Sequence, residues 1–418
     1  PLPRQGEDGM NPDIVIVGAG PAGSATAILL AERGFTVMLL DKAAFPRPKI
    51  CGEYLSPEAS RILDRLGVLK DVDAAGAQPL SGMRIIAPDG TRLDGAYPTA
   101  GPWRAYRDHA LAVPREILDA LLLERARSLP VTVAERQRVT GLLVEGDSVV
   151  GLRAEDPEGR SYEVRSRLLV GADGRGSIVA RALGLLRPHR LRRMALVQHV
   201  GGLAGFDGRG EIYVDPPDYA ILNPVAPDRV NLGLVVPLRH AVAFRGRMET
   251  FFHARLKQLR HLSPRLEGMR PVGRLRVLGP LAYRVDEPRH AGVALVGDAA
   301  GFFDPFTGEG LYTALRSAEM LAETAHAALE GGQVSAEALA PYWRARRRAF
   351  AAKERVTRVL QWVIARRRLA TLTAHVLVRR PALLGTLMGV IGDFVPPGAL
   401  LRPSLLRRDR SRPGSEVR

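Results

Sequence analysis

DIVIVGAGPAGSATAILLAERGFTVMLLDK, residues 13–42, reads as a strand, a glycine turn, a helix, a second strand and a terminal acid. Residues 13–17 form an apolar, β-branched run of buried-strand character, and Gly18, Gly20 and Gly23 follow it at the G-x-G-x-x-G spacing. Gly18 permits the tight turn, Gly20 lets a pyrophosphate approach the backbone without meeting a Cβ, and Gly23 lets the helix lie close on the strand. A helix is expected over 22–33, with its free N–H groups and positive dipole end toward the phosphates and Gly34 as its left-handed cap. The strand 36–40 then delivers Asp41, next to Lys42 and eighteen positions after Gly23, where an acid accepts the ribose hydroxyls of an adenosine half. An acid there disfavours a 2′-phosphate, so FAD or NAD is expected rather than NADP.

Working outward, the 418 residues suffice for a full core and two joined domains. No uncharged apolar run of eighteen residues occurs, so no spanning helix is expected, and the opening PLPRQGEDGMNP has no apolar signal segment. The single cysteine, Cys51, excludes an internal disulfide and fits a reducing cytoplasm. The nine histidines are scattered without metal-ligand spacing, so no metal is expected. The net charge of +16 is concentrated in residues 341–418, which carry 18 Lys or Arg against 4 Asp or Glu. No recognition motif or interleaved basic and aromatic surface accompanies that charge, so nucleic acid is not an expected partner.

Periodicity predicts a discontinuous layout. The nucleotide-binding domain takes residues 10–80, 111–185 and 281–335; a sheet segment at 81–110 and a β-sheet domain at 186–280 are inserted in it, and a basic helical region follows at 336–418. The signals are a hairpin with a Pro-Asp-Gly turn at 83–93, a helix opening on proline at 114–128, and short strands between 131 and 172. Further strands at 211–214, 219–222 and 230–236 precede a strand at 291–296, which leads into GDAAGFFDPFTGEG and a helix over 310–329. Near the C-terminal end, Val356, Val359, Leu360, Val363 and Ile364 recur at helical spacing among arginines. This region reads either as a helical cap with solvated arginines or as a peripheral contact with an anionic membrane surface.

Three separated motifs occur in order: the first glycine turn with Asp41, Gly171-Ala172-Asp173-Gly174, and Gly297-Asp298-Ala299-Ala300 followed by Pro305-x-x-Gly308-x-Gly310. Together, over roughly residues 13–330, they resemble the FAD-dependent oxidoreductases of the para-hydroxybenzoate hydroxylase fold. The resemblance implies an α/β chain: a Rossmann-like FAD-binding domain of the glutathione reductase type, an inserted antiparallel β-sheet substrate domain and a C-terminal helical region. It implies FAD at the first glycine turn. Asp298 is then the acid that holds ribityl or ribose hydroxyls, and Pro305, Gly308, Gly310 and Leu311 form the loop and helix start beside the isoalloxazine ring. Asp173 and Gly174 match the Asp-Gly motif linked to FAD and the pyridine nucleotide, and Arg115 matches an arginine that approaches the diphosphate.

The loop Pro48-Lys49-Ile50-Cys51-Gly52-Glu53 is similar to the geranylgeranyl reductase and electron-transfer flavoprotein quinone oxidoreductase branch, where it lies along the flavin. Lys42, Arg47, Cys51 and Gly52 join the expected cofactor site, and Arg47 and Lys49 are expected to lower the Cys51 thiol pKa. Cys51 and Pro305 are the candidate catalytic residues. The Tyr-x-Trp-x-Phe-Pro segment of isoprenoid reductases is replaced by Tyr219-Ala220-Ile221-Leu222-Asn223-Pro224, so the substrate does not carry over. The Trp-x-Trp-x-Ile-Pro signature of flavin halogenases is missing, which disfavours halogenation. No second G-x-G-x-x-G exists, so NAD(P)H is expected to dock transiently as reductant. The expected activity is an NAD(P)H-dependent monooxygenation of a hydrophobic aromatic, polyketide or isoprenoid-like small molecule. Its alternatives are carbon–carbon double-bond reduction and a non-catalytic flavin-binding partner.

Overall fold

The computed structural model describes residues 11–99, 102–402 and 405. The run Ile14–Val17 is wholly buried because it is the central strand of a five-stranded parallel sheet. Its neighbours are Val37–Leu40, then Val131–Ala134, on one side, and Leu168–Gly171, then Val293–Leu295, on the other. Both faces of such a sheet are covered, so its strands read as continuous apolar runs rather than alternating ones. The helix Pro21–Ala31 is likewise enclosed on every side, packed between Gly310–Glu330 and Arg115–Arg127, which accounts for its lack of a polar stripe. The antiparallel strands Arg138–Glu145, Ser148–Glu155 and Ser161–Arg165 add Val149, Leu152, Ala154 and Val164 to the same core.

The inserted sheet has eight strands. Gly82–Ile86 and Arg92–Ala96 come from the first excursion; Arg193–Gly201, Arg209–Asp215, Asp218–Ala226, Arg229–Pro237, Arg270–Pro271 and Arg276–Leu278 come from the second. It is antiparallel except where the excursions meet, Arg209–Asp215 running parallel to Gly82–Ile86. A hairpin fixes its strands antiparallel, whereas a joint between distant segments is under no such constraint. One face holds Phe251, Phe252 and Leu256 of the helix Met248–Gln258; the other packs Ile212, Val214 and Leu93 toward the C-terminal helices. A small sheet of Tyr54–Leu55, Ala110–Ala112 and Gln78–Leu80 joins the halves. Successive strand residues point to opposite faces, so Leu55 and Leu111 enter the nucleotide-domain core while Tyr54, Ala110 and Ala112 enter the other.

Three helices, Ala336–Ile364, Arg367–Val378 and Pro381–Ile391, close the face of the inserted sheet that carries Ile212, Val214 and Leu93. Here the structure departs from the apolar spacing. On the first helix Val356, Leu360 and Ile364 of the expected stripe pack on the core, but Val359 is exposed, and the buried face also takes Phe350, Lys353, Thr357 and Gln361. The cause is local: its inner face meets Asp304, Glu309 and Asp393, and those carboxylates select polar partners. Among the described residues, no single helix is long and apolar enough to cross a membrane.

Candidate active site

The first glycine turn is set by backbone crowding. A Cβ on Gly18, whose φ is +102°, would stand 2.6 Å from the Ala172 carbonyl oxygen, and one on Gly23 would stand 1.8 Å from that of Gly18. Gly20 differs, because its Cβ would meet no backbone. The nearest atoms there are Arg47 Nη2 at 3.7 Å and Arg115 Nη2 at 3.9 Å. Two guanidinium groups therefore gather over the turn where a diphosphate is expected. Arg115 is buried and held by Asp119 through two hydrogen bonds of 2.7 Å, and Arg47 reaches Asp119 at 3.3 Å and Asp41 at 3.6 Å. Burial opposes the Arg115 charge, but Asp119 and Cys51 more than offset it, and its pKa is raised.

Asp41 accepts the Ala19 N–H on Oδ2 and the Ala43 N–H on Oδ1, each at 2.9 Å. It thereby ties the second strand to the glycine turn, and each oxygen keeps a further lone pair for a ribose hydroxyl. Lys42 beside it is exposed. Asp173 accepts the Ile178 N–H at 2.6 Å and, with Ser177, caps the helix Ile178–Ala182. Its other carboxylate oxygen is buried without a partner, and burial raises its pKa. Its Cα lies 2.6 Å from the point where a Gly18 Cβ would stand, so Ala172 and Asp173 brace the turn, while Gly174 follows at φ +71°.

Asp298 lies in the 3-10 turn Gly297–Ala300 after the strand Val293–Leu295. Burial raises its pKa against the fields of Lys49, Arg115 and Arg175. A carboxylate surrounded by cations is a strong acceptor for hydroxyl groups. Next, Pro305–Thr307 forms a 3-10 turn, Gly308 has φ +68°, and Gly310 and Leu311 open the long helix Gly310–Glu330. A Cβ on Gly308 would stand 2.6 Å from the Tyr54 ring. Asp304 fixes this loop: its Oδ1 accepts from Phe306 N–H at 3.0 Å, Tyr219 OH at 2.8 Å and Gln361 Nε2 at 2.5 Å. Its Oδ2 has no partner, and burial pushes its pKa up to about 6.

The Cys51 loop is clamped from both sides, by residues the motifs did not single out. The Cys51 carbonyl accepts from Asn231 at 3.0 Å and the Gly52 carbonyl from Asn223 at 2.7 Å. Glu53, buried at φ +56°, accepts the Arg115 N–H at 3.0 Å and is bonded to His199 Nε2 at 2.6 Å and Asn231 Nδ2 at 2.9 Å. One signal was available in the sequence: Asn223 and Asn231 interrupt strands that are otherwise apolar toward the core. The expectation that Arg47 and Lys49 depress the thiol pKa is corrected. Burial pushes the Cys51 thiol up, and the cation that partly offsets this is Arg115, from the helix below.

Gly52, Pro305 and Gly308 meet at a small apolar cavity of about 40 Å³, whose other wall is Tyr54 with Met83, Ile212 and Ile221 of the inserted sheet. The Tyr54 hydroxyl lies 2.5 Å from that of Tyr97. A wider, more polar cleft of about 260 Å³, lined by Asp298, opens between Tyr283, Gly310 and Arg346.

The turn that excludes every side chain at Gly18 and Gly23 while leaving Gly20 open beneath two guanidinium groups fits an FAD diphosphate, and the apolar cavity lies beside the loop expected at the flavin ring. The fold and this site define an FAD-dependent oxidoreductase. The chain belongs to the family described as FAD binding domain, whose model matches residues 11–357. It is 29% identical over 343 residues to a digeranylgeranylglycerophospholipid reductase of Methanosarcina acetivorans, covering 78% of each chain. A second relative, digeranylgeranylglycerophospholipid reductase 2 of Methanopyrus kandleri, is 31% identical over 342 residues, covering 79% of this chain and 81% of its own. Among solved structures, the myxobacterial chondrochloren halogenase CndH superposes with a TM-score of 0.78 over 90% of each chain at 24% identity, a likeness of fold. FAD supplies two-electron chemistry when bound. With FAD bound, Arg47 and Arg115 would face its diphosphate, and Asp41 and Asp298 would be placed to accept its hydroxyls.

Proposed function

We propose that this protein is an FAD-dependent reductase of carbon–carbon double bonds in a lipophilic, isoprenoid-like substrate. The observation that carries the reading is the clamped loop Cys51-Gly52-Glu53 at the mouth of an apolar cavity, in a chain whose relatives are named as reductases of a geranylgeranyl lipid. Such a substrate offers no polar group along its chain, and the walls from Met83, Ile85, Ile212 and Ile221 suit it by apolar burial. NAD(P)H is the proposed electron donor, docking transiently at the polar cleft beside Asp298. Oxygen insertion, the leading expectation from the motifs, becomes the second reading; the same apolar cavity suits it, and the Cys51 loop ranks it behind reduction.

The assay uses the yellow, FAD-loaded protein with NADH or NADPH and polyprenyl lipids, in air and under argon. A product heavier by two hydrogens, formed equally under argon, supports reduction. A product heavier by one oxygen, formed only in air, overturns it in favour of monooxygenation. Retention of bound FAD without any turnover of lipid supports a flavin-binding partner instead.

A further inference from the structure

We infer that the outer faces of the helices Ala336–Ile364 and Arg367–Val378 form a docking surface for an anionic lipid bilayer. The inference is independent of the chemistry proposed above. Two stripes carry it. On the first helix Arg355, Arg358, Val359 and Trp362 recur at helical spacing, followed by Arg366 in the turn after it, all exposed, with Val359 at 60% and Trp362 at 55%. On the second, Arg368, Leu372, Val376 and Arg379 do the same, with Leu372 at 60%.

These apolar residues are not left over from the core. The second helix buries the opposite side, Ala370, Ala374 and Leu377, against the inserted sheet. The first turns Lys353, Thr357 and Gln361 inward beside Phe350 and Ile364, so part of its inner face is polar. Val359 and Trp362 stay outside, each next to an arginine in the same stripe. The Arg366 guanidinium sits 4.5 Å over the Trp362 ring, an arrangement in which an indole and a cation share the headgroup level of a membrane.

Charge selects the occupant. Between Glu354 and Asp393 the chain has seven arginines and no acid. Acids near the stripes are themselves paired: Glu354 with Arg358, Asp215 with Arg367 and Asp89 with His375. A surface of exposed Trp, Leu and Val ringed by arginine matches an anionic interface in both of its terms, apolar insertion and headgroup attraction. The helix Pro381–Ile391 does not contribute a span, because it bends 110° away and buries Leu384, Leu387, Met388 and Ile391 in the core, the last of them in the cavity wall. The docking surface therefore belongs to the same helical layer that roofs the cavity.

The test is flotation of the FAD-loaded full chain with phosphatidylcholine vesicles, with and without phosphatidylglycerol. The expected result is binding to the anionic vesicles alone, weakened at least about tenfold by Trp362→Ser with Leu372→Ser, and similarly by Arg366→Gln with Arg368→Gln. Unchanged melting temperature and flavin content show that both variants fold. Binding by these folded variants equal to that of the unaltered chain overturns the inference, as does equal flotation on neutral vesicles or none on either. A dimer that the Leu372→Ser variant dissociates, with no vesicle binding, assigns the face to a second copy and also overturns it.

Discussion

Asn231, on a strand of the inserted sheet, donates a hydrogen bond of 2.9 Å to Glu53, in the Cys51 loop, across 178 positions of the chain. The same amide nitrogen lies 3.0 Å from the Cys51 carbonyl oxygen. Glu53 is a non-glycine residue at φ +56°, a conformation that persists where surrounding contacts over-determine it. Replacing Asn231 by Ala leaves a buried carboxylate one donor short, at a cost of roughly 1.5–3 kcal/mol. The Asn231→Ala variant is expected to melt several degrees lower and to lose turnover more than FAD affinity. Melting followed by circular dichroism, beside a flavin titration, checks both; a melting curve that overlays the unaltered protein refutes the clamp.

Arg115 has two separable roles. Its pairing with the fully buried Asp119 is structural, and Arg115→Ala leaves that carboxylate short of its two-pronged partner at a cost of about 3–5 kcal/mol. Its guanidinium, 3.9 Å from where a Gly20 Cβ would stand, is also where an FAD diphosphate is expected. The double variant Arg115→Leu with Asp119→Leu should therefore regain much of the stability while FAD binding stays weaker by roughly 10–100-fold. Recovery of tight flavin binding in the double variant would remove Arg115 from the diphosphate site.

Gly18 and Gly20 respond differently to the same change. Gly18→Ala combines a positive φ with a backbone contact of 2.6 Å, so soluble folded protein is not expected. Gly20→Ala meets no backbone within 4 Å and should fold normally, yet place its methyl group between the two arginines and the diphosphate. Apo-protein melting near that of the unaltered chain, with weakened FAD binding by fluorescence quenching, is the expected result.

Asp304 gives stability a pH dependence of definite sign. Its folded pKa, pushed by burial to about 6, exceeds the ordinary 3.8, so its contribution is complete below the ordinary value and is lost as pH rises through 6. A shift of that size corresponds to about 3 kcal/mol. Asp393, also raised by burial to about 6, acts in the same direction. Melting temperatures measured from pH 4 to 8 should fall less steeply for Asp304→Asn than for the unaltered chain, with Asp393 keeping part of the slope. Parallel profiles would contradict the assignment.

Cys51 is expected to remain a neutral thiol at neutral pH, since burial raises its pKa and Arg115 offsets this only in part. Iodoacetamide should alkylate it more slowly than a free thiol, with bound FAD slowing it further. Cys51→Ala should keep the flavin and lose turnover. Full turnover with an unchanged flavin spectrum would leave the residue a packing role.

The nucleotide domain was legible in the sequence because its determinants are local. Glycine conformation, strand and helix periodicity and the spacing of Asp41 from Gly23 each act within a few turns of chain, so the linear order carries them. The interrupted pattern of strands likewise announced an inserted sheet. The clamp on the Cys51 loop was not legible, because Glu53 meets His199 and Asn231 only after two distant excursions have been folded onto one another. The C-terminal helices show the same limit more sharply. Periodicity assigns Val359 to an apolar stripe, but which side of a helix is buried depends on what lies opposite. Here that is Asp304, Glu309 and Asp393, which draw Lys353, Thr357 and Gln361 inward and leave Val359 and Trp362 outside.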